Sequence, residues 1–551
     1  MSIGILNTAL SGLAAFQRSL ETTSNNIANV NTEGYSRQRT ELATRPEQYT
    51  SGGYLGTGVN VVNITRSYDQ FITSQVRAST SAFSEVDSYH SLASQIDKLL
   101  ADEATGLSSS MKSFFNAVND VANDPSSAPI RNVLISEADG LTNHFNTMGA
   151  RLDEIEQQVD SNLETGVGDL NNYAAAIAKL NVQIVDYIGR ANGQQMPNDL
   201  LDQRDELLRK VSEKIDTSVV SQSDGSVSVF IGQGQPLVLG PTASSLSLVG
   251  NASDPTHMQI TLNGSDITDM LSGGQLSGNL RFRDEVLYPA QRQLGLLALG
   301  LATEFNNVHQ NGYDLDGDTG LNFFDLGTPT VQVLGKTTDA TLVASATFVA
   351  PTSSASLGTS YRINVTAGGF DLTNLSDNSS NSYGSLAALQ TATQAFGFDI
   401  NFSGGSLNAG DQFEVSPSMN AARSLKRSSD INSSRDIAAA TASGLTGDNR
   451  NALDLAKLET ATLMQNGKIT FTQVYGQLVT EVGGKTNTAL VSRSAHDVLL
   501  ENATTAKENL SGVNLDEEAA NLIKFQNSYQ AAAKAVSVAN TLFDALIGAI
   551  R

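Results

Sequence analysis

Apolar residues recur every seven positions at both ends of the chain. At the C-terminal end Leu515, Leu522, Tyr529, Val536, Phe543 and Ile550 form one row, with Ala519, Gln526, Ala533, Asn540 and Ile547 between them. At the N-terminal end Leu6, Leu13, Leu20 and Ile27 form an aliphatic row, and Ile3, Leu10, Gln17 and Ser24 form a second that turns polar halfway. Each pattern is the a/d signature of a helix that packs along a seam, and polar a/d residues trade stability for a fixed register. A short amphipathic helix is marginal alone in water. The two ends are therefore expected to pair as an α-helical coiled coil and to carry an assembly surface.

Between the ends the period changes several times. From Val86 to Ile188 the stripes Leu107, Met111, Phe114, Val118, Val121 and Leu141, Phe145, Met148, Leu152, Ile155, Val159 have the helical period, with a turn at Asn123 to Pro129. Alternation takes over at Thr217 to Leu248, where Val219, Val227, Val229 and Ile231 predict a small β module. Helix returns over Glu285 to Val308, and again from about Arg435 through Leu455, Leu458, Leu463, Val474, Leu478 and Val482. Between these lies a stretch poor in charge and rich in Ser, Thr, Gly, Val and Phe, with short alternating runs at Tyr361 to Val365 and Gln412 to Val415.

The predicted fold class is a multidomain α+β protein. Residues 1–70 with 500–551 form a terminal coiled-coil axial unit. Residues 71–326 with 419–499 form a helical-bundle body that includes a small β module at about 217–284. Residues 327–418 form an inserted, β-rich outer domain. The absence of Pro before Pro46 and after Pro417 permits long helices in both flanks.

Charge and composition exclude several classes. The formal net charge of -23 argues against nucleic acid and anionic membranes as partners. No apolar run is long enough for membrane insertion, and the first basic residue, Arg18, follows periodic rather than continuous apolar positions, unlike a cleaved signal peptide. The chain has no Cys, so thiolate chemistry and disulfides are excluded. Its five His are scattered and no nucleophile elbow or phosphate loop occurs. No catalytic, cofactor or metal residues are assigned. Asp314, Asp316, Asp318 and Asp325 resemble a calcium loop in spacing, but Thr319 stands where the sharp-turn Gly belongs, and an Asp/Gly turn is the favoured reading.

Two polar segments stand out. Asn514 before Leu515, with Asp516, Glu517 and Glu518 following, reads as a helix cap with negative charge at the helix start. Leu200 to Leu208 carries Asp202, Arg204, Asp205 and Glu206 and reads as a solvated, ion-paired helix face.

Ala9 to Leu13, then Ser24, Asn25, Asn26, Asn29, Asn31, Gly34 and Tyr35 with Arg37 and Gln38, resemble the amino-terminal signature of bacterial flagellar rod, hook and hook-associated proteins. On the residues alone, Ser24 to Tyr35 is a helix stop and turn, a subunit contact, or both. Ser511 to Ala520 with Phe525, Gln526 and Tyr529 is similar to the matching carboxyl end of the hook-associated members. Asn198 to Asp205, Leu280 to Asp284, and Phe305-Asn306 with His309 and Gly312 resemble the members that join hook to filament. Residues 327–418 carry no matching motif.

The resemblance implies a structural, non-enzymatic protein without cofactors, a junction piece at the distal end of the hook that is required for flagellum assembly and motility. It implies partners: copies of itself in a ring, hook protein, a second hook-associated junction protein, and a cytosolic export chaperone on the C-terminal helix. It also implies type III export without signal cleavage to an extracellular site. Another axial flagellar protein, of hook or filament type, is the alternative, followed by a secreted enzyme or adhesin.

Overall fold

The computed structural model describes residues 2–50, 53–102, 106–193, 195–250, 257–334, 339, 341–349, 358–465 and 467–550. The helices are α1 (Ser2–Ala28), α2 (Gln70–Ala101), α3 (Leu107–Asn123), α4 (Ala128–Arg190), α5 (Asn198–Lys214), α6 (Gly274–Phe282), α7 (Tyr288–His309), α8 (Leu386–Ala395), α9 (Ala421–Ser424), α10 (Arg450–Lys457), α11 (Phe471–Ser511) and α12 (Leu515–Ile550). The fold class is the one expected: a multidomain α+β chain whose terminal helices pack together.

The body is organised around α4, a single helix of 63 residues whose apolar stripe from Leu134 through Phe145, Leu152, Leu163 and Leu170 to Ile184 is buried along its whole length. The turn before it falls between Asn123 and Ala128, where Pro129 occupies the first helical turn and its missing N–H costs nothing. Helix α2 runs antiparallel to α11, tied by Tyr475 Oη donating to Leu100 O at 2.7 Å and by the Arg493–Asp87 pair at 2.5 Å.

The β module consists of a four-stranded antiparallel sheet (Thr217–Ser221, Val227–Ile231, Gln235–Leu239, Thr242–Ala243) and a three-stranded one (Leu246–Gly250, Met258–Leu262, Ser265–Asp266). It hangs from α4 by two asparagines. Asn171 Nδ2 donates to Leu246 O at 2.8 Å, and Asn181 Nδ2 donates to Val227 O at 2.8 Å and Gly240 O at 2.7 Å.

Helical structure starts again at Gly274, earlier than the apolar period shows, and α6 runs into α7 through a π turn at Arg283–Leu287. Pro289 supplies no N–H to an i→i−4 ladder, and the wider turn accommodates that gap. Residues 425–449, expected to be largely helical from Arg435, instead run mostly irregularly across the body. Buried Arg131 holds them there by donating to Ser434 O and Ile437 O, and a backbone bridge joins Tyr313 to Ala440.

The outer insert has a five-stranded antiparallel sheet in the order Thr330–Leu334, Gln412–Ser416, Tyr361–Thr366, Gly369–Asn374, Ser380–Tyr383, with a separate pair Val343–Phe348 and Phe398–Ser403 and α8 alongside. Its buried residues, among them Ile363, Phe398, Ile400, Phe413 and Val415, form a cluster separate from the core of the body. The chain leaving it presses Ser418 against α7 at Gly295, where a Cβ would lie 1.7 Å from Ser418 O. Only glycine permits that approach.

Where α7 ends, His309 is fully buried beside Phe305 and Phe323. Its Nδ1–H donates to Leu321 O at 2.7 Å while Nε2 accepts from Ala438 N–H at 2.9 Å, which requires a neutral ring. Burial pushes its pKa down to about 4, with Arg131 acting in the same sense. A histidine whose folded pKa lies below its unfolded value stabilises the fold above about pH 6.5, and that stabilisation is lost as pH falls toward about 4. The difference corresponds to about 3 kcal/mol. His309→Gln can keep both hydrogen bonds without titrating, so its thermal unfolding temperature between pH 7 and 4 is expected to fall less steeply than that of the parent chain.

Candidate assembly site

Helices α1 and α12 lie antiparallel. Asn26 near the end of α1 reaches Glu518 at the start of α12, and Gly12 sits where a Cβ would be 4.0 Å from Ala532 Cβ. The seam residues Leu522, Tyr529 and Val536 of α12 and Leu6, Leu13, Leu20 and Ile27 of α1 are half-buried. Leu10, Leu515 and Phe543 are 54%, 51% and 42% exposed, and the side chains of Ile3 and Ile550 lie outside the described residues.

The second rows differ from expectation. On α12 the residues that accompany the first row are Glu518, Phe525, Ala532 and Ala539, three positions on, and Gln526 and Asn540 are exposed. Spacings of three and four both fall on one helix face, and both rows contain apolar residues, so the pattern alone does not separate them. On α1 Gln17 and Ser24 are exposed, and the buried polar residues are Ser11, Ser19, Thr22, Thr23 and Asn26.

A β hairpin explains the buried polar side of α1. Gln38–Thr44 pairs antiparallel with Val59–Arg66, with a smaller pair Gln48–Thr50 and Gly53–Leu55 at the tip, and it packs on α1. Ser11 Oγ accepts from Val59 N–H at 3.1 Å, and Thr40 Oγ1 donates to Thr22 Oγ1 at 3.3 Å. The strand residues Gln38 to Thr44 are mostly polar and leave no alternating signature, so the hairpin was not readable from period.

The motif residues close the end of this unit. Ser24, Asn25 and Asn31 are exposed, and Asn29 Nδ2 donates back to Asn25 O at 3.0 Å where α1 stops. Asn26 is buried and makes four hydrogen bonds: its Nδ2 donates to Gln38 O at 2.8 Å and Glu518 Oε2 at 3.1 Å, and its Oδ1 accepts from Gln38 N–H at 3.0 Å and Tyr35 Oη at 2.8 Å. Arg37 pairs with Glu517 at 2.7 Å and with Glu518 at 2.8 Å, and its N–H donates to Ser511 O at 2.8 Å. Asn514 Oδ1 caps α12 through the Asp516 and Glu517 N–H groups. Of the three acidic residues there, Glu518 is only 1% exposed. Its role as the meeting point of both termini is not visible in a run of three acids at a helix start.

The same segment is bolted to α5, the helix that carries the Asn198 to Asp205 motif. Ser36 N–H donates to Asp202 Oδ2 at 2.8 Å, Gln38 Nε2 to Asp199 Oδ1 at 2.8 Å, and Asn198 Nδ2 to Ile64 O at 2.8 Å. Arg66 pairs with Asp202 at 2.8 Å and Asp205 at 2.6 Å. Gly34 has φ +79° and its Cβ position lies 3.1 Å from Glu206 Cβ, so the turn and the close approach both favour glycine. The α5 face is thus a buried clamp rather than a solvated one, since Asp202 and Arg204 are both buried. Burial pushes the Asp202 carboxyl up, against the hydrogen bonds from Arg66 and Ser36. Burial, with Asp199, Asp202 and Glu518 nearby, raises the Tyr35 phenol well above its ordinary value, so it stays a hydrogen-bond donor.

Among the described residues no group of three His, Asp or Glu has the geometry to hold a metal ion, and no helix is long and apolar enough to cross a membrane. In the Asp314 loop, Asp314 Oδ1 accepts from the Asp316 and Asp318 N–H groups, and Asp316 pairs with Arg435. These are the contacts of a turn.

Paired terminal helices locked to a helical body define the class, and the sequence comparisons agree on it. Residues 6–35 match the family described as flagella basal body rod protein, and residues 508–549 match the flagellar basal body rod FlgEFG protein C-terminal family. Both are families of flagellar structural proteins. Residues 93–324 match the flagellar hook-associated protein FlgK helical domain. The chain is 35% identical over 562 residues to flagellar hook-associated protein 1 of Salmonella typhimurium, covering 98% of this chain and 99% of that one. It is 26% identical to the protein of that name from Bacillus subtilis, over 98% and 97% of the two chains. The solved structure of the flagellar hook junction protein FlgK from Burkholderia pseudomallei shares the fold, with a TM-score of 0.66 at 23% identity, over 80% of this chain and 100% of that one. The chain belongs to the flagellar hook-associated protein 1 family.

Proposed function

We propose that this chain is a structural junction protein of the bacterial flagellum that assembles at the distal end of the hook and connects hook to filament. The observation that carries the reading is the terminal unit, in which pairing α1 with α12 still leaves Ile5, Leu10, Ile523, Val538, Leu542 and Phe543 each more than 40% exposed. Apolar side chains on both helices of a pair call for further covering. In this reading the seam residues and the Ser24 to Tyr35 motif make contacts between subunits of a ring, and hook protein and a second hook-associated junction protein are the axial neighbours. An export chaperone covers α12 in the cytosol, and the chain leaves by the flagellar type III route without signal cleavage. Residues 1–70 with 500–551 serve as the axial unit, 71–326 with 419–499 as the body, and 327–418 as an outward module without catalytic duty.

Deleting the gene in its own host tests this: cells should be non-motile and release unpolymerised filament protein into the medium, and filaments assembled normally without the chain would overturn it. Replacing residues 327–418 by a short Gly/Ser linker should leave secretion and filament assembly largely intact, because the insert has its own core. Collapse of the helical body in circular dichroism would show that the insert is required by the fold.

A further inference from the structure

On α4, Asp153, Glu156 and Asp160 follow one another at helical spacing on a half-buried face. Asp153 pairs with Arg423 at 2.6 Å. Opposite Glu156 stands Gln291 of α7, only 9% exposed, whose Nε2 donates to Glu156 Oε2 at 3.0 Å and whose Oε1 is buried without a partner. Tyr288, one turn earlier on α7, also hydrogen-bonds Glu156. A carboxylate can only accept, so it cannot satisfy that orphaned carbonyl oxygen. A neutral carboxyl can. We propose that Glu156 and Gln291 form a proton-operated latch between α4 and α7, in which the protonated carboxyl accepts from Gln291 Nε2 and donates its own hydrogen to Gln291 Oε1.

The surroundings favour the neutral form. Burial pushes the Glu156 carboxyl up, and the charges of Asp153 and Asp160 add to this against the hydrogen bonds from Gln291 and Tyr288. An acid whose folded pKa exceeds its unfolded value gains stability as pH falls through the folded pKa and loses it as pH rises. The latch sits one helical turn before Gly295, the contact with Ser418 at the root of the outer insert. Closing it in acid would therefore tighten the seat of that module. The other ionisable groups around it are Arg423 on α9, Arg283 on the π turn near Asp160, and His257, whose ring lies 5.6 Å from that of Tyr288 and whose Nε2 is 2.8 Å from Arg283 Nη2.

Thermal unfolding of the full chain from pH 5 to 8 tests the latch through two substitutions and their combination. Glu156→Gln mimics the neutral carboxyl, and its amide can pair with Gln291 at two points. It should unfold roughly 1–2 °C above the parent at pH 8, with the difference closing toward pH 5. In a Gln291→Met background the same substitution should instead lower the unfolding temperature, because the new amide keeps Tyr288 but loses its two-point partner on α7. A pH-independent difference, or equal stabilisation in both backgrounds, overturns the proposal, since simple removal of a charge would act alike in each. If Gln291→Met does not fold, infrared difference spectra of parent against Glu156→Gln decide: a protonated-carboxyl band that titrates above the ordinary carboxylate range supports the latch, and a band titrating within it overturns the proposal.

Discussion

Arg66→Met is expected to release the terminal unit from the body. Arg66 is the shared cation of Asp202 and Asp205, at 2.8 and 2.6 Å, and its side chain and theirs are at most 14% exposed. Burial works against the charge on Arg66, and the two carboxylates more than offset it, holding its pKa above the ordinary value. Removing one partner of a buried pair leaves the other charge uncompensated, at a cost of about 3–5 kcal/mol. The effect should be local, because Asp202 also holds Ser36 N–H at the base of the hairpin. Hydrogen exchange should show faster opening across residues 30–70 while the α4 amides keep their protection. Adding Asp202→Asn to Arg66→Met removes the more buried of the two unpaired carboxylates and should recover part of the loss. The exposed pair Arg18–Glu21 serves as control, where Arg18→Gln should change stability by less than about 1 kcal/mol. If exchange in residues 30–70 is unchanged in Arg66→Met, the clamp does not hold the terminal unit.

The contrast between these pairs also marks how far the sequence could be read. Long apolar stripes report themselves: the stripe from Leu141 to Val159 in α4 identifies a helix because it buries one continuous face, and the heptads of α1 and α12 identify helices although their rows are only half-buried. The strand at Tyr361–Thr366 is legible because its burial alternates with period two, whereas Val227–Ile231 is buried on both faces and shows only in its alternating Val227, Val229 and Ile231. What stayed hidden is held by polar groups, whose partners lie far away in sequence. Arg131 anchors residues 434–437 from 303 or more positions away, and Asn26 meets Glu518 across 492. No local pattern encodes such a pairing. Asp202 illustrates the resulting error: a helix with Asp202, Arg204, Asp205 and Glu206 in close succession has the composition of a solvated face, and only the arrival of Arg66 and Ser36 from the hairpin makes it an interior. The flagellar motif includes Asn26 without showing that this side chain gathers four hydrogen bonds.

Leu522→Asp together with Val536→Asp is expected to abolish assembly. Both residues are half-buried in one row of α12, with Tyr529 between them, on a helix whose Ala532 lies against Gly12 of α1. A carboxylate at either place would enter a half-buried seam shared with the aliphatic residues of α1, and desolvating the two charges costs on the order of several kcal/mol. The helix pair is the unit proposed to enter the ring, so a chain that cannot close it should be exported or retained without forming a junction. Motility should be lost, and filament protein should collect unpolymerised in the medium. The control lies on the same helix: Lys524 and Lys534 are exposed, and Lys524→Gln with Lys534→Gln should cost within about 0.5 kcal/mol and swim normally. Circular dichroism of the purified double Asp chain separates two causes of failure, because the body helices α2, α4 and α11 do not depend on this seam and should stay folded. Normal swimming by the double Asp variant, or equal failure of the lysine control, would mean that α12 turns a different face to its partners.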